Sequence, residues 1–270
     1  MTNNMTHDYI ILLPPSEGKS DSIDPKNPSW DSVRNDSKYI HFSELNKNRL
    51  ELIKSLQKYA KNADGKELEE LFELKGKNLI NAINATRNLL VSPTMPACRL
   101  YTGVVYDNIE IDTLSKSALN NLTSKTYVIS GLWGLVRLSD HLPDYKLKIS
   151  SKFDDVNLVK YWMGEVSGLI NTISKDKFVW DLLPNEHRKV WNDKASAATH
   201  IASVRFVEEK AGKLKVVGHT AKAYKGKLVR EIVSHDIDSM DKFKSHKFDN
   251  MKIADIITKG NTSEITIKIG

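Results

Sequence analysis

Residues 203–230 read SVRFVEEKAGKLKVVGHTAKAYKGKLVR. Two apolar runs, 204–207 and 214–217, are joined by a turn containing Ala211-Gly212, which is the pattern of a β-hairpin. Residues 219–230 then read as a loop running into a helix. Between 205 and 230 lie eight Lys or Arg and two Glu, a surplus of six. The whole chain carries the same +6, so the remainder is neutral and the basic excess is local. A local excess is the electrostatic footprint of an anionic partner, and nucleic acid is the commonest large one. It also fits solvated lysines that keep an exposed hairpin from pairing at its edge. Spacing favours the first reading. Lys222, Lys225, Lys227 and Arg230 surround Gly226, and at a helix start they would bring cations and free backbone N–H groups to one anion.

Composition bounds the class. With 270 residues, 40% hydrophobic and 27% charged, the chain reads as a soluble globular protein with ample core. Its one cysteine, Cys98, excludes a disulfide framework or a cysteine-based metal site and points to a reducing compartment. The first residues lack a basic n-region, and their apolar run stops at Leu13, so no signal peptide is expected. No window has the length of a membrane span, and a cytoplasmic location is the expectation. The eight histidines lie apart, without His-x-x-x-His or Glu-x-x-His spacing on a predicted helix. No metal and no cofactor is therefore expected.

Toward the N-terminus, 9–13 reads as a short buried strand ending in Pro14-Pro15-Ser16-Glu17-Gly18-Lys19-Ser20. A phosphate-binding P-loop would need a glycine where Leu13 stands, so a triphosphate loop is excluded. A rigid Pro-Pro turn would still hold Glu17 and Lys19 at a strand end, as a site or as a surface ion pair. Residues 21–42 read as a polar excursion. A helix capped by Ser43 carries Leu45, Leu52, Ile53, Leu56 and Tyr59 on its apolar face and breaks at 63–65. Segments 67–74 and 79–90 read as two helices around a 75–78 turn. The pattern Leu74-x-Gly76-x-Asn78-x-x-x-Ala82 resembles a helix-hairpin-helix element, with Asn78 in place of the second glycine and Lys75 and Lys77 flanking a phosphate. An ordinary αα-hairpin has the same look.

Residues 101–107 read as a second site loop or a packed turn. A strand at 127–130 runs into Gly131 and Gly134, which let the backbone approach a ligand or a neighbouring helix, and Arg137 can pair with Asp140. Further along lie a short strand at 142–148, an amphipathic helix at 156–173, a strand at 178–183 and a short helix at 185–191. His187 reads as a surface residue there. A helix through Ile232, continued over 235–244, and a closing strand at 265–269 complete the chain. No Pro/Gly/Ser linker divides it, so residues 1–270 read as one domain.

The segments PPSEGK (14–19), LYTGVVYD (100–107), ISGLWGLVRLSDHLPDYKL (129–147), VWDLLPNEH (179–187) and HTAKAYKGKLVR (219–230) resemble, in this order and register, the YaaA peroxide-stress family. The resemblance implies an α/β mixed (α+β) fold: a single compact domain with a central mixed sheet flanked by helices, a helix-hairpin-helix-like element near 67–90 and a positively charged cleft. It also implies a cytoplasmic protein that protects against hydrogen peroxide, limits free iron and binds duplex or distorted DNA. The motif positions it transfers are Lys19, Tyr101, Gly131, Gly134, Arg137, Lys222, Lys225, Gly226 and Arg230.

Two readings of function follow. In the first, Lys19, Lys75, Lys77, Arg137, Lys222, Lys225, Lys227 and Arg230 of a monomer hold DNA phosphates along a cleft, and Gly103, Gly131, Gly134 and Gly226 shape its loops. In the second, segments 16–20, 101–103, 130–137 and 219–230 form a pocket for a small phosphorylated or nucleotide-like substrate. Glu17 and Lys222 are its candidate catalytic groups. Whether the protein is an enzyme stays open at this point. A deep pocket one molecule wide that holds Glu17, Tyr101, Arg137 and Lys222 argues for the second reading, and a long open groove for the first.

Overall fold

The run Tyr9–Leu13 is buried along its whole length, and the sheet is built around it. A strand covered on both faces needs such an unbroken apolar run. The structure, a computed structural model, describes residues 8–210 and 212–270. The 1–7 segment used in the signal-peptide argument and the turn residue Ala211 lie outside the described residues.

The main sheet contains β1 (Tyr9–Leu13), β2 (Thr126–Ser130), β3 (Gly134–Arg137), β4 (Phe178–Asp181), β5 (His200–Lys210), β6 (Lys213–Val216), β7 (Met251–Lys259) and β8 (Thr262–Ile269). Its order is β7-β8-β5-β4-β1-β2-β3, with β6 paired to β5. The central pairings, β8 with β5, β5 with β4, β4 with β1 and β1 with β2, are parallel. Those of β3, β6 and β7 are antiparallel. The result is a single α/β domain with a mixed central sheet flanked by helices.

The helices that matter below are α1 (Asn46–Asn62), α2 (Gly65–Phe72), α3 (Gly76–Asn88), α4 (Val104–Asp107), α5 (Lys116–Lys125), α6 (Leu158–Ile173), α7 (His219–His235) and α8 (Met240–Ser245). Helix α2 begins at a capping box: Asp64 accepts from the Glu67 N–H at 2.9 Å, and Glu67 accepts from the Asp64 N–H at 2.8 Å. Helix α7 buries Leu228, Val229, Ile232 and Val233, a stripe at helical spacing. Gly226 on α7 has no room for a side chain, because an added Cβ would collide with the Val105 carbonyl and come within 2.8 Å of Asn108 Cβ. That close approach lets α7 lie directly on α4.

The predicted hairpin is present, and its first strand is longer than the apolar run suggested: β5 starts at His200. Other expectations change. In the 142–148 region only His141–Leu142 forms a strand, paired with Met95–Pro96. Helix α7 does not continue over 235–244; Asp236 turns it off in a left-handed conformation (φ 52°), and Ser239 caps α8. Asn78 lies inside α3, and the left-handed residues of the α2–α3 turn are Glu73 and Gly76 (φ 53° and 55°). The turn is thus an αα connection without the Asn78 geometry expected of it. Strand β7 was not foreseen. Among the described residues no helix is long and apolar enough to cross a membrane.

One consequence of this topology positions the site. From β1 the chain goes to β2 on one side, and from β4 it goes to β5 on the other. The crevice outside the carboxyl ends of β1 and β4 is therefore a topological switch point, where open α/β sheets hold ligands.

Candidate functional site

Segments following β1 and β4 meet Gly103 and the start of α4, the 145–149 segment and the start of α7 at this crevice. They enclose two adjoining cavities of about 290 Å³ and 600 Å³. Pro15, Ser16, Glu17, Glu186 and His187 border both. Both volumes are those of sites for small molecules or parts of them.

Each wall is held by local chemistry. The 14–20 loop is zipped to 100–106 by Ser20 N to Leu100 O (2.8 Å) and Thr102 N to Gly18 O (3.2 Å). Ser16 Oγ also donates to the Thr102 carbonyl, and Tyr106 Oη donates to the Pro14 carbonyl at 2.8 Å. Gly103 has φ 93°, and a Cβ there would lie 3.1 Å from Ser16 Oγ, so a side chain is disfavoured twice.

Electrostatics differ from one group to the next. Lys19 Nζ donates to the Ser16 carbonyl at 2.7 Å and lies 4.1 Å from the centre of the Tyr145 ring. Burial pushes its pKa down to about 7, with Lys146 adding and Asp144 and Glu17 opposing. Lys225 Nζ donates to the Leu182 carbonyl at 2.6 Å, and burial together with Lys222 pushes it down to about 8. Burial works against ionisation of Glu17. Lys148 at 3.1 Å, Lys146 at 3.7 Å and Lys222 outweigh it and hold the carboxyl below its ordinary range. Burial and Lys225 push His187 down to about 4, so its ring is neutral near pH 7. Its Nδ1 is buried with no partner among the described residues. Behind Lys19 the Tyr145 hydroxyl bonds to Tyr101 Oη (2.8 Å) and Ser130 Oγ (2.9 Å), and burial raises it to about 12. The crevice thus combines an ionised carboxylate with two amines whose pKa values burial draws down toward neutrality.

The family described as peroxide stress protein YaaA matches residues 9–255. The chain belongs to that family. The match covers every residue that borders the two cavities. Relatives include an uncharacterized protein of Campylobacter jejuni, 30% identical over 96% of this chain and 98% of its own length. A UPF0246 protein of Rickettsia conorii is 29% identical over 73% of this chain and 79% of its own. One of Streptomyces coelicolor is 29% identical over 83% of each.

In this YaaA-family chain the structure brings Glu17, Lys19, Gly103, Lys222 and Lys225 to one place. It does not bring Arg137 there. Strand β3 runs back along β2, so Arg137 sits opposite Tyr127 at the far end of the sheet. Its Nε donates to the Ser124 carbonyl at 2.8 Å. Lys19 and Arg137, both expected along one cleft, therefore do not lie together. Arg230 donates to the Ile109 and Glu110 carbonyls at 2.8 and 3.1 Å and braces the segment after α4. Lys227 is exposed, 4.9 Å from the Tyr224 ring centre. Lys75 and Lys77 are exposed and line neither cavity, whereas Glu73 of the same turn lines the smaller one. Gly131 packs on the 147–149 backbone and Gly134 beneath the Trp162 ring. Gly226 seats α7, as described above.

Tyr145, Lys146, Lys148, Glu186 and His187 border the site without having been chosen from the sequence. His187, read as a surface residue, is half-buried between the cavities. The available signal was the motif strings: 129–147 contains Tyr145 and Lys146, and 179–187 ends on Glu186-His187.

Proposed function

We propose that this peroxide-stress family member works in the cytoplasm, as a monomer, on a small phosphorylated or nucleotide-like substrate held in the double cavity. The observation that carries this reading is Glu17 on the shared wall, with Lys19 bordering one cavity and Lys225 the other. The substrate's phosphate belongs at the start of α7. Among the described residues no side chain caps that helix end, and Gly218, Ala221 and Lys222 line the larger cavity beside it. Lys19 is the proton acceptor, because a lysine titrating near 7 is partly neutral at physiological pH. Glu17 keeps the surrounding ammonium groups in place. Calorimetric titration with adenosine monophosphate and with inorganic phosphate tests this. Saturable binding should weaken about tenfold or more in Glu17→Gln and Lys225→Met. Equal affinity in wild type and both variants rejects the site.

A second reading, binding of duplex or distorted DNA that limits damage by hydrogen peroxide and free iron, is favoured by one observation. Lys222 and Lys227 are exposed on α7, and Lys222 lines the larger cavity. Phosphate contacts of this kind make affinity fall with salt, at about 0.9 log units per contact. Lys222→Ala and Lys227→Ala should each flatten the salt slope on a short duplex by nearly that amount. An unchanged slope removes them from the interface.

A further inference from the structure

Away from the cavities, Glu231 and His235 project together from the last two turns of α7, and His246 meets them from the residue that ends α8. Glu231 Oε2 lies 2.8 Å from His246 Nε2 and 3.3 Å from His235 Nδ1. One donor atom from each residue lies within 4.8 Å of the other two. Ligand atoms held at about 2.0–2.1 Å around a tetrahedral ion are roughly 3.3 Å apart. The Glu231–His235 pair already sits at that spacing and the Glu231–His246 pair lies just inside it, so small side-chain movements bring the trio to it.

We propose that Glu231, His235 and His246 bind a divalent first-row transition ion of the zinc type, with the remaining coordination position open to water. Two imidazoles and a carboxylate form the mixed nitrogen–oxygen set that such ions take, whereas calcium and magnesium prefer oxygen alone. The ligands are preorganised. His246 is 16% exposed in its side chain and packs edge-on against Phe248. Its backbone N–H donates to the Lys242 carbonyl at 3.0 Å. Lys242 in turn bonds to the Asp236 carbonyl (3.0 Å) and to Asp238 (2.8 Å), bracing the turn between the helices. Glu231 and His235 sit one turn apart on a 17-residue helix, so their relative position is set by the backbone.

The ion would clip α8 to α7. It stands apart from the proposed chemistry, since thirteen helical steps, about 20 Å, separate His235 from Lys222. Without an ion the same atoms make an N–H···O cluster in which each imidazole donates to Glu231, and the experiment distinguishes the two. Full-length protein stripped with chelator is titrated with Zn²⁺ and, for its visible absorption, with Co²⁺. The expected result is saturable binding of both and a Zn²⁺-dependent rise in melting temperature. Binding should be weakened about tenfold or more in His235→Ala, Glu231→Gln and His246→Ala, with His41→Ala unchanged. His235 is more than half exposed, so its truncation leaves the fold intact and serves as the decisive variant. Absence of saturable binding overturns the proposal, as does binding undiminished in both His235→Ala and Glu231→Gln.

Discussion

The cavity edge and the β2–β3 hairpin are both held by basic side chains, and the two regions use them in opposite ways. At the cavity, Lys19 and Lys225 each bond to a single backbone carbonyl and border open space. At the hairpin, Arg49 donates to the carbonyls of Trp133 (2.9 Å), Leu135 (2.9 Å) and Phe42 (2.8 Å) and to Asn46 Oδ1 (3.0 Å). Arg137 closes the other end of the same hairpin on Ser124 and His41. A guanidinium presents five donors in a fixed fork and suits several acceptors at once, whereas an ammonium held at one point keeps N–H groups for a ligand. Burial brings Arg49 down to about 10, still charged near neutrality, while the lysines fall to about 7 and 8. Arginine here holds the fold, and the two lysines stay at the cavity edge.

The sharpest way to break this contrast is Arg49→Met. It strands three buried carbonyls and should lower stability by roughly 3–5 kcal/mol, read from the urea midpoint. Gly226→Ala comes next. Its Cβ collides with the Val105 carbonyl, so α7 must shift off α4. About 1–3 kcal/mol of lost stability is expected, with weakened phosphate binding because Lys222 and Lys225 move with the helix. Unchanged binding in that variant would separate the helix contact from the site.

A smaller effect concerns pH. Lys19 and Lys225 titrate lower in the folded protein than the usual 10.5, so above about pH 7 the unfolded chain binds more protons. Their contribution therefore makes stability rise with pH, and the urea midpoint should increase from pH 7 to 8.5. Lys19→Met and Lys225→Met should each flatten that rise; a slope independent of both would show that neither amine is shifted. The smallest change is expected from Arg137→Lys: about 1 kcal/mol or less of stability and no change in phosphate affinity. A loss of affinity there would bring the hairpin into the site after all.

Much of the architecture was legible in local pattern. The unbroken apolar run at Tyr9–Leu13, the 127–130 run and the 203–217 hairpin announced themselves through β-branched residues and turns. Strand β7 did not. It is an edge strand, exposed along most of its length and interrupted by an irregularity between Ile253 and Asp255, so neither alternation nor an apolar run marks it. Arg137 was misplaced because the strand reversal at 131–134 sends it to the opposite end of the sheet, which residue spacing does not encode. His187 and Tyr145 carried no local mark of cavity position, since their environment comes from segments far away in the chain.

By itself the sequence determined most of the element types, the strand-end loop with Glu17 and Lys19, the local surplus of positive charge and the family. The tertiary structure alone decided which cations meet. Parallel pairing of β1 with both β2 and β4 sets the loop after β1 beside the start of α7 and leaves Arg137 outside. The reason is physical: backbone hydrogen bonding between distant strands fixes their order, and those backbone groups are the same at every residue.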